Sequence, residues 1–267
     1  MMKKLFLIAI ACIIIGVIGI SQTYEKAVQT AEKGDKEDVI KNETLKNIEV
    51  KLDAGDIVIQ KSPDSSFYVK QSGDVRKQEI RIAEDGDTLK IIGERKKGAS
   101  FDFSFYDFRF QTSKLTLLVP ERSYQDVKVN SSAGQIEMSD VKSDSVSVRT
   151  LAGEVELKQV TAKNVEGSTK AGEVNFKKVL GKVTAKTKSG EINIQDHDSK
   201  YNLEASSTAG DIDITLSEKP QDAVITGQSA AGDVTIFNEE NNNVTIGNGS
   251  KKISGKTAAG DVTIETR

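Results

Sequence analysis

Seven carboxylates directly follow the glycines of one recurring phrase: Asp56, Glu154, Glu173, Glu191, Asp211, Asp233 and Asp261, with Gln135 breaking the series. If successive copies stack as strands, these acids align about 5 Å apart. Like charges so placed repel unless a cation, or a lysine such as Lys158, Lys170, Lys186 or Lys188, neutralises them. Calcium suits carboxylate ligands but takes six or more oxygens. The acids here come one to a copy, and the glycine-rich nonapeptide of calcium-binding solenoids is absent. The expectation is a solvated, lysine-paired edge without a cofactor, with calcium along the ladder as the alternative.

Other reactive groups are scarce. His197 is the only histidine, and Cys12, inside an apolar run, is the only cysteine. Ser/His/Asp and Cys/His catalysis and the usual zinc sites are therefore excluded. His197 stands seven places after Gly190, where other copies carry Val141, Val160 or Val179, which predicts a semi-buried corner residue. Each repeated glycine leads into a strand pattern rather than a helix, which excludes a phosphate-binding loop. Polysaccharide hydrolysis would need clustered carboxylates in one groove. From Tyr124 onward the arginines are Arg149 and Arg267 alone, and the loops are short. The chain is expected not to be an enzyme.

The elements that position these residues are copies of one phrase. A small residue and a glycine recur at Gly55, then at Gly134, Gly153, Gly172, Gly190, Gly210, Gly232 and Gly260, the last seven at spacings of 19, 19, 18, 20, 22 and 28 residues. Such a period marks a repeat architecture. Seven places before the glycine stands Ile48, Val127, Val146, Val165, Val183, Leu203, Ile225 or Ile253; two places after it stands Ile57, Ile136, Val155, Val174, Ile192, Ile212, Val234 or Val262. Three places before it every copy but the first, which has Leu52, carries Ser or Thr. Apolar positions are odd before the glycine and even after it, so each half alternates as a strand and the inward face resets at the glycine. One copy cannot bury its Val/Ile row, but stacked copies can. The fold class predicted is all-β: a parallel β-solenoid (β-helix) of about 19–22-residue coils, its seven consecutive coils roughly 34 Å long at the usual strand spacing.

Composition agrees. With 37% hydrophobic and 5% aromatic residues and no Trp, a narrow Val/Ile core is favoured over a large globular one. Charge is balanced at a net of −3, with no basic stripe for nucleic acid.

Residues 1–4 form a lysine-bearing cytoplasmic leader and 5–21 an apolar segment, so everything beyond lies outside the membrane. An uncleaved signal-anchor helix is expected because no clear A-x-A site follows; a cleaved signal peptide, or a lipoprotein through Cys12, is the alternative. Residues 22–44 are polar and read as a stalk with a hint of a short helix, and 45–120 as a β-rich part with the first coil and a hairpin turning at Asp85-Gly86. Within it, Phe101, Phe103, Phe105, Tyr106, Phe108 and Phe110 form an aromatic strand. It is expected to cap the solenoid, with a partner- or membrane-facing patch as the alternative. Residues 121–267 carry the repeats, and the last coil is expected to be an open edge suited to self-association.

The glycine phrases, the Leu115 to Pro120 strand leading into Ser131 to Gly134, and the lysine-led apolar segment resemble a bacterial family of adhesin-like repeat domains of unknown function, covering roughly residues 45 to 267. The short anchor before such a domain is similar to LiaG-like proteins of Gram-positive bacteria, encoded beside a cell-envelope stress response. The resemblance implies a membrane-anchored extracytoplasmic surface protein, an adhesin or stress-associated scaffold, with an envelope protein or glycan as partner and no catalytic motif. Carbohydrate binding through Tyr201, Phe237 or the aromatic strand, or less directly polysaccharide processing, is the other reading.

Overall fold

Inward-facing Val and Ile rows and a corner at every repeated glycine produce two broad sheets with the core between them. The computed structural model describes residues 36–73, 78–95 and 113–267. In chain order the strands are β1 (Lys36–Ile40), β2 (Asn47–Leu52), β3 (Asp56–Lys61), β4 (Phe67–Ser72), β5 (Gln78–Asp85), β6 (Thr88–Arg95), β7 (Lys114–Val119), β8 (Ser123–Ala133), β9 (Ile136–Ser139), β10 (Lys142–Ala152), β11 (Val155–Lys158) and β12 (Thr161–Ser168). They continue as β13 (Val174–Lys177), β14 (Leu180–Lys186), β15 (Ile192–His197), β16 (Leu203–Ser206), β17 (Ile212–Leu216), β18 (Ala223–Ala231), β19 (Val234–Ile236), β20 (Glu239–Glu240), β21 (Asn243–Ile246), β22 (Lys251–Ala259) and β23 (Val262–Thr266).

One sheet runs β1-β4-β7-β3-β9-β11-β13-β15-β17-β23-β19-β20 and the other β5-β6-β2-β8-β10-β12-β14-β16-β22-β18-β21. A coil gives one strand to each. The pairing is parallel and in register, so like residues stack: Val127 on Val146, Val146 on Val165, and Val165 on Val183. Ile57, Ile136, Val155 and Val174 stack likewise in the other sheet. All of these are buried.

Coil order departs from chain order at both ends. β6 and β7 lie outside β2 and β3. The last coil, β22 and β23, is inserted between β16/β17 and β18/β19. The expectation of an open last coil is thus corrected: β23 has strands on both sides. The long 217–222 and 237–250 connections let β18/β19 stand one level out and the chain return beneath it. The outermost strands are antiparallel: β1 on β4 and β4 on β7, β5 on β6, β20 on β19 and β21 on β18. They end the parallel stack with short or charged edges.

The polar stretch read as a stalk to residue 44 is strand from Lys36 to Ile40, with Ile40 packed on the core. Arg122 fastens the next residues. Its guanidinium donates to the carbonyls of Asn42, Glu43 and Leu45 and lies 5.2 Å from the Phe67 ring centre and 5.4 Å from that of Tyr124. Tyr124 is buried, which pushes its hydroxyl pKa up to about 12, and it donates to the Pro120 carbonyl at 2.9 Å. The segments read as the anchor (5–21) and the aromatic strand (101–110) lie outside the described residues, as does most of the stalk.

Candidate interaction surfaces

The repeated glycines Gly55, Gly134, Gly153, Gly172, Gly190, Gly210, Gly260 and Gly232 stack in that order along one corner, each amide from Gly55 to Gly260 donating to the carbonyl before the next glycine, as Gly210 does to Ala259 and Gly260 to Ala231. Gly172 shows why the residue is needed. Its φ is +135°, and a Cβ there would lie 2.2 Å from the Gly153 oxygen. The Ser/Thr three places earlier is buried and bonds across the corner: Thr169 donates to the Gly153 carbonyl at 3.0 Å, Thr187 to Gly172 at 3.1 Å and Thr257 to Gly210 at 3.0 Å. Ser207 and Ser229 bond glycine carbonyls in the same way, while Ser131 and Thr150 donate to the Ala133 and Ala152 carbonyls of their own corner, so the Ser/Thr column satisfies corner carbonyls throughout.

The acids after the glycines stack as expected, but lysine is not their main partner. Asp56 accepts from the Gln135 amide, Asp211 from the Asp261 amide and Asp261 from the Asp233 amide, at 2.8–3.0 Å. Asn175 donates to Glu154 at 2.6 Å and to Glu173 at 3.3 Å. Of the four lysines proposed as partners, Lys158 pairs with Glu156 at 2.7 Å and Glu137 at 3.8 Å, and Lys186 with Glu204 at 3.9 Å, none of them a ladder acid. A short carboxylate beside a free coil edge finds the next amide closer than a lysine ammonium on a strand face. Among the described residues no group of three or more His, Cys, Asp or Glu side chains is arranged to hold a metal ion.

The two outer faces differ in charge. On the first sheet from β9 to β23 the ladder acids are joined by Glu137, Glu156, Asp213 and Glu265, against Lys158 and Lys177, with Lys70 on β4 and Lys114 on β7, beyond β3. There desolvation, then the carboxylates of Asp211, Glu265 and Asp261, hold the Asp213 pKa above the ordinary value, with the Thr263 hydroxyl acting the other way. From β8 to β22 the second sheet and its side of the glycine corner carry Lys128, Lys142, Arg149, Lys163, Lys170, Lys182, Lys186, Lys188, Lys251, Lys252 and Lys256 against Asp126, Asp144, Glu166 and Glu204. Some of these pair within the face, as Arg149 does with Glu166 at 2.7 Å.

His197 is more buried than expected, at 1% exposure, in the corner opposite the glycines. Its Nε2 lies 3.2 Å from the Tyr201 carbonyl and its Nδ1 has no partner. Burial lowers its pKa, which disfavours the charged ring. Tyr201 is exposed, while Phe237 is half-buried under Lys219. The two are not brought together by one strand or pocket. The aromatic patch Phe101 to Phe110 lies outside the described residues. Sequence reasoning missed a cavity of about 500 Å³ beside β18, lined by Thr226, Gln228, Ser229, Ala230, Asn242 and Lys256 among others. No residue type there stands out, and the cavity depends on the displaced coil.

The fold and its glycine corner define an all-β solenoid of two parallel-rich sheets. The chain belongs to the Toastrack DUF4097 family, whose model matches residues 45–265. Solved structures of similar fold include a candidate cell adhesion protein from Clostridium sporogenes, at 12% identity and a TM-score of 0.46 over 87% of this chain and 100% of that one. A candidate adhesin from Bacteroides fragilis is similar at 16% identity and a TM-score of 0.45, over 88% and 98% of the two chains. A candidate lipid-binding protein from Parabacteroides distasonis is similar at 15% identity and a TM-score of 0.31, over 87% and 96%. No curated protein matches the sequence.

Proposed function

We propose that the protein is a non-enzymatic surface protein of the cell envelope, held to the membrane by its N-terminal apolar segment, with the Toastrack solenoid on the extracytoplasmic side. There it works as an adhesin or as a scaffold associated with envelope stress, binding an envelope protein or glycan. The observation that carries this reading is the pair of long sheet faces with opposite charge balance, acidic on one side and lysine-rich on the other. In-register columns present each charge type repeatedly, which steers and orients a partner of complementary sign. Lys3 and Lys4 before the apolar run support the orientation.

The test is capture from envelope extract by the full chain in detergent, beside a variant carrying Glu154→Lys, Glu173→Lys and Glu191→Lys. The wild type should retain a protein or glycan, weakening as salt rises, and the variant should retain roughly tenfold less. Equal, salt-independent retention by both would remove the charged face from the reading. Release of shortened glycan would make the protein an enzyme. Protease added to intact cells should digest the solenoid; full protection would overturn the extracytoplasmic placement.

A further inference from the structure

The coil-on-coil hydrogen bonds follow one pattern, and the outermost repeat coil leaves it unfinished. In interior coils the residue three before the glycine donates its amide to the next coil: Thr169 to the Lys186 carbonyl, Thr187 to Ser206, and Ser207 to Lys256. The glycine amide donates likewise, as Gly260 does to Ala231, and so does the residue two after it, as Val262 does to Asp233. The acid after the glycine accepts the next coil's amide, as Asp261 does from Asp233. On β18/β19 the equivalent donors are Ser229, Gly232 and Val234, and the equivalent acceptor is Asp233. Among the described residues no further coil stands above them. β21 pairs with β18 only through Ala223 to Thr226, with Gly227 donating to the Asn242 carbonyl at 3.1 Å, and β20 covers only Thr235 and Ile236. The corner between is exposed from Ala230 to Asp233 and opens beside the cavity next to β18.

We propose that this corner is a docking site for a short extended peptide of another polypeptide, which pairs along Gln228 to Val234 as an added coil segment would. Its carbonyls accept from the Ser229, Gly232 and Val234 amides, and one of its amides donates to Asp233. Recognition is by backbone hydrogen bonding at a free sheet edge. Small residues at the peptide's centre are required, because interior corners hold Ala-Gly or Ser-Gly there. The open stretch is only a few residues long between two covering strands. That is far short of the roughly 1,200 Å² a stable protein–protein interface buries, so a short peptide fits it and a second copy of the chain does not. The cavity of about 500 Å³ lies within the range of ligand sites. The site shares Asp233 with the acidic face and Lys256 with the lysine-rich one, but it recognises backbone rather than charge and stands whether or not the sheet faces bind.

The test uses the full chain in detergent micelles and a synthetic peptide of sequence KTAAGDVTI, which copies the coil beneath the open corner. Hydrogen exchange read by mass spectrometry should slow across Gln228 to Val234 at saturating peptide, and not on the sheet faces. A scrambled peptide of the same composition should leave exchange unchanged. Beside Ser229→Ala, which loses only the hydroxyl bonded to the Gly260 carbonyl at 2.7 Å, Ser229→Pro also removes the outward amide on the solvent side of an edge strand, where proline is tolerated. The proline variant should bind roughly tenfold more weakly than the alanine one, as expected for one lost hydrogen bond. No slowing at millimolar peptide, or equal slowing by the scrambled peptide, would overturn the proposal whatever the variant's stability. Slowing of the same amides by raising the protein concentration alone would also overturn it, because the occupant would then be a second copy.

Discussion

The ring of Phe176 occupies the space that a side chain on Gly167 would need: a Cβ there would lie 2.4 Å from Phe176 Cζ. Gly167 stands between Val148 and Ala185 in one sheet, and Phe176 between Leu157 and Ile194 in the other. The largest residue of its column thus meets a column of small residues, Gly167 continuing as Ala185, Ala205, Gly255 and Gly227.

Gly167→Val should therefore overpack the core and cost about 2–3 kcal/mol. Phe176→Leu alone should cost about 1 kcal/mol through the space it leaves. The double variant should be more stable than the sum of the two, by about 1 kcal/mol or more, because leucine frees the room that valine fills. Urea unfolding of the four proteins measures this; strictly additive costs would mean that the two residues are not matched.

The position of the last coil makes a second prediction. In a simple stack a terminal coil is shed without harm to its neighbours. Here β22 and β23 join β16/β17 to β18/β19. Truncating the chain before Lys251 should abolish hydrogen-exchange protection in β18 and β19 and weaken it in β16 and β17. Loss confined to the C-terminal peptides, with β18 still protected, would contradict the inserted order.

The repeated phrase was readable because three constraints coincide at one corner: the glycine close approach, the Ser/Thr hydroxyl and the parity change on either side. Coil order was not, because in-register columns of Val and Ile accept any coil as neighbour; Ile253 packs as well on Leu203 as Ile225 would. The β6/β7 coil escaped notice because Ser113 stands beside Gly55 where a repeat glycine would be. The acid ladder's partners were missed for a geometric reason: an amide one coil away is nearer to Asp211 than any lysine tip. The buried place of His197 was half legible, since valines fill that column in other coils.

At the second corner the position before that valine column carried no residue-type signal, yet its conformation repeats. Six places after the glycine, Asp140, Gln159, Lys178 and Asp196 all have φ between 53° and 58°. A non-glycine residue in this left-handed region costs about 1 kcal/mol. Gln159→Gly should remove that cost, partly offset by the entropy glycine loses on folding. The expected result is unchanged or slightly raised thermal stability, while Gln159→Val, β-branched at positive φ, should lower it by about 1–2 kcal/mol. Equal melting temperatures for the valine variant and the wild type would contradict the strain.

His197 sets a pH dependence whose sign follows from its burial. Its pKa in the fold is lowered, first by desolvation, although the Tyr201 carbonyl, Asp198 and the Val179 carbonyl favour the charged ring. Between the unfolded value near 6.5 and the lower folded value, the unfolded chain binds a proton that the folded chain does not. Stability therefore rises with pH across that window and is lost as pH falls through it, by up to about 1.4 kcal/mol per pH unit for one group. His197→Val restores the residue type found at Val141, Val160 and Val179 and removes the titrating ring. Urea midpoints measured from pH 7 to pH 5 should fall more steeply for the wild type than for the valine variant. Parallel curves would mean that the imidazole takes up its proton inside the fold, held by the Tyr201 and Val179 carbonyls.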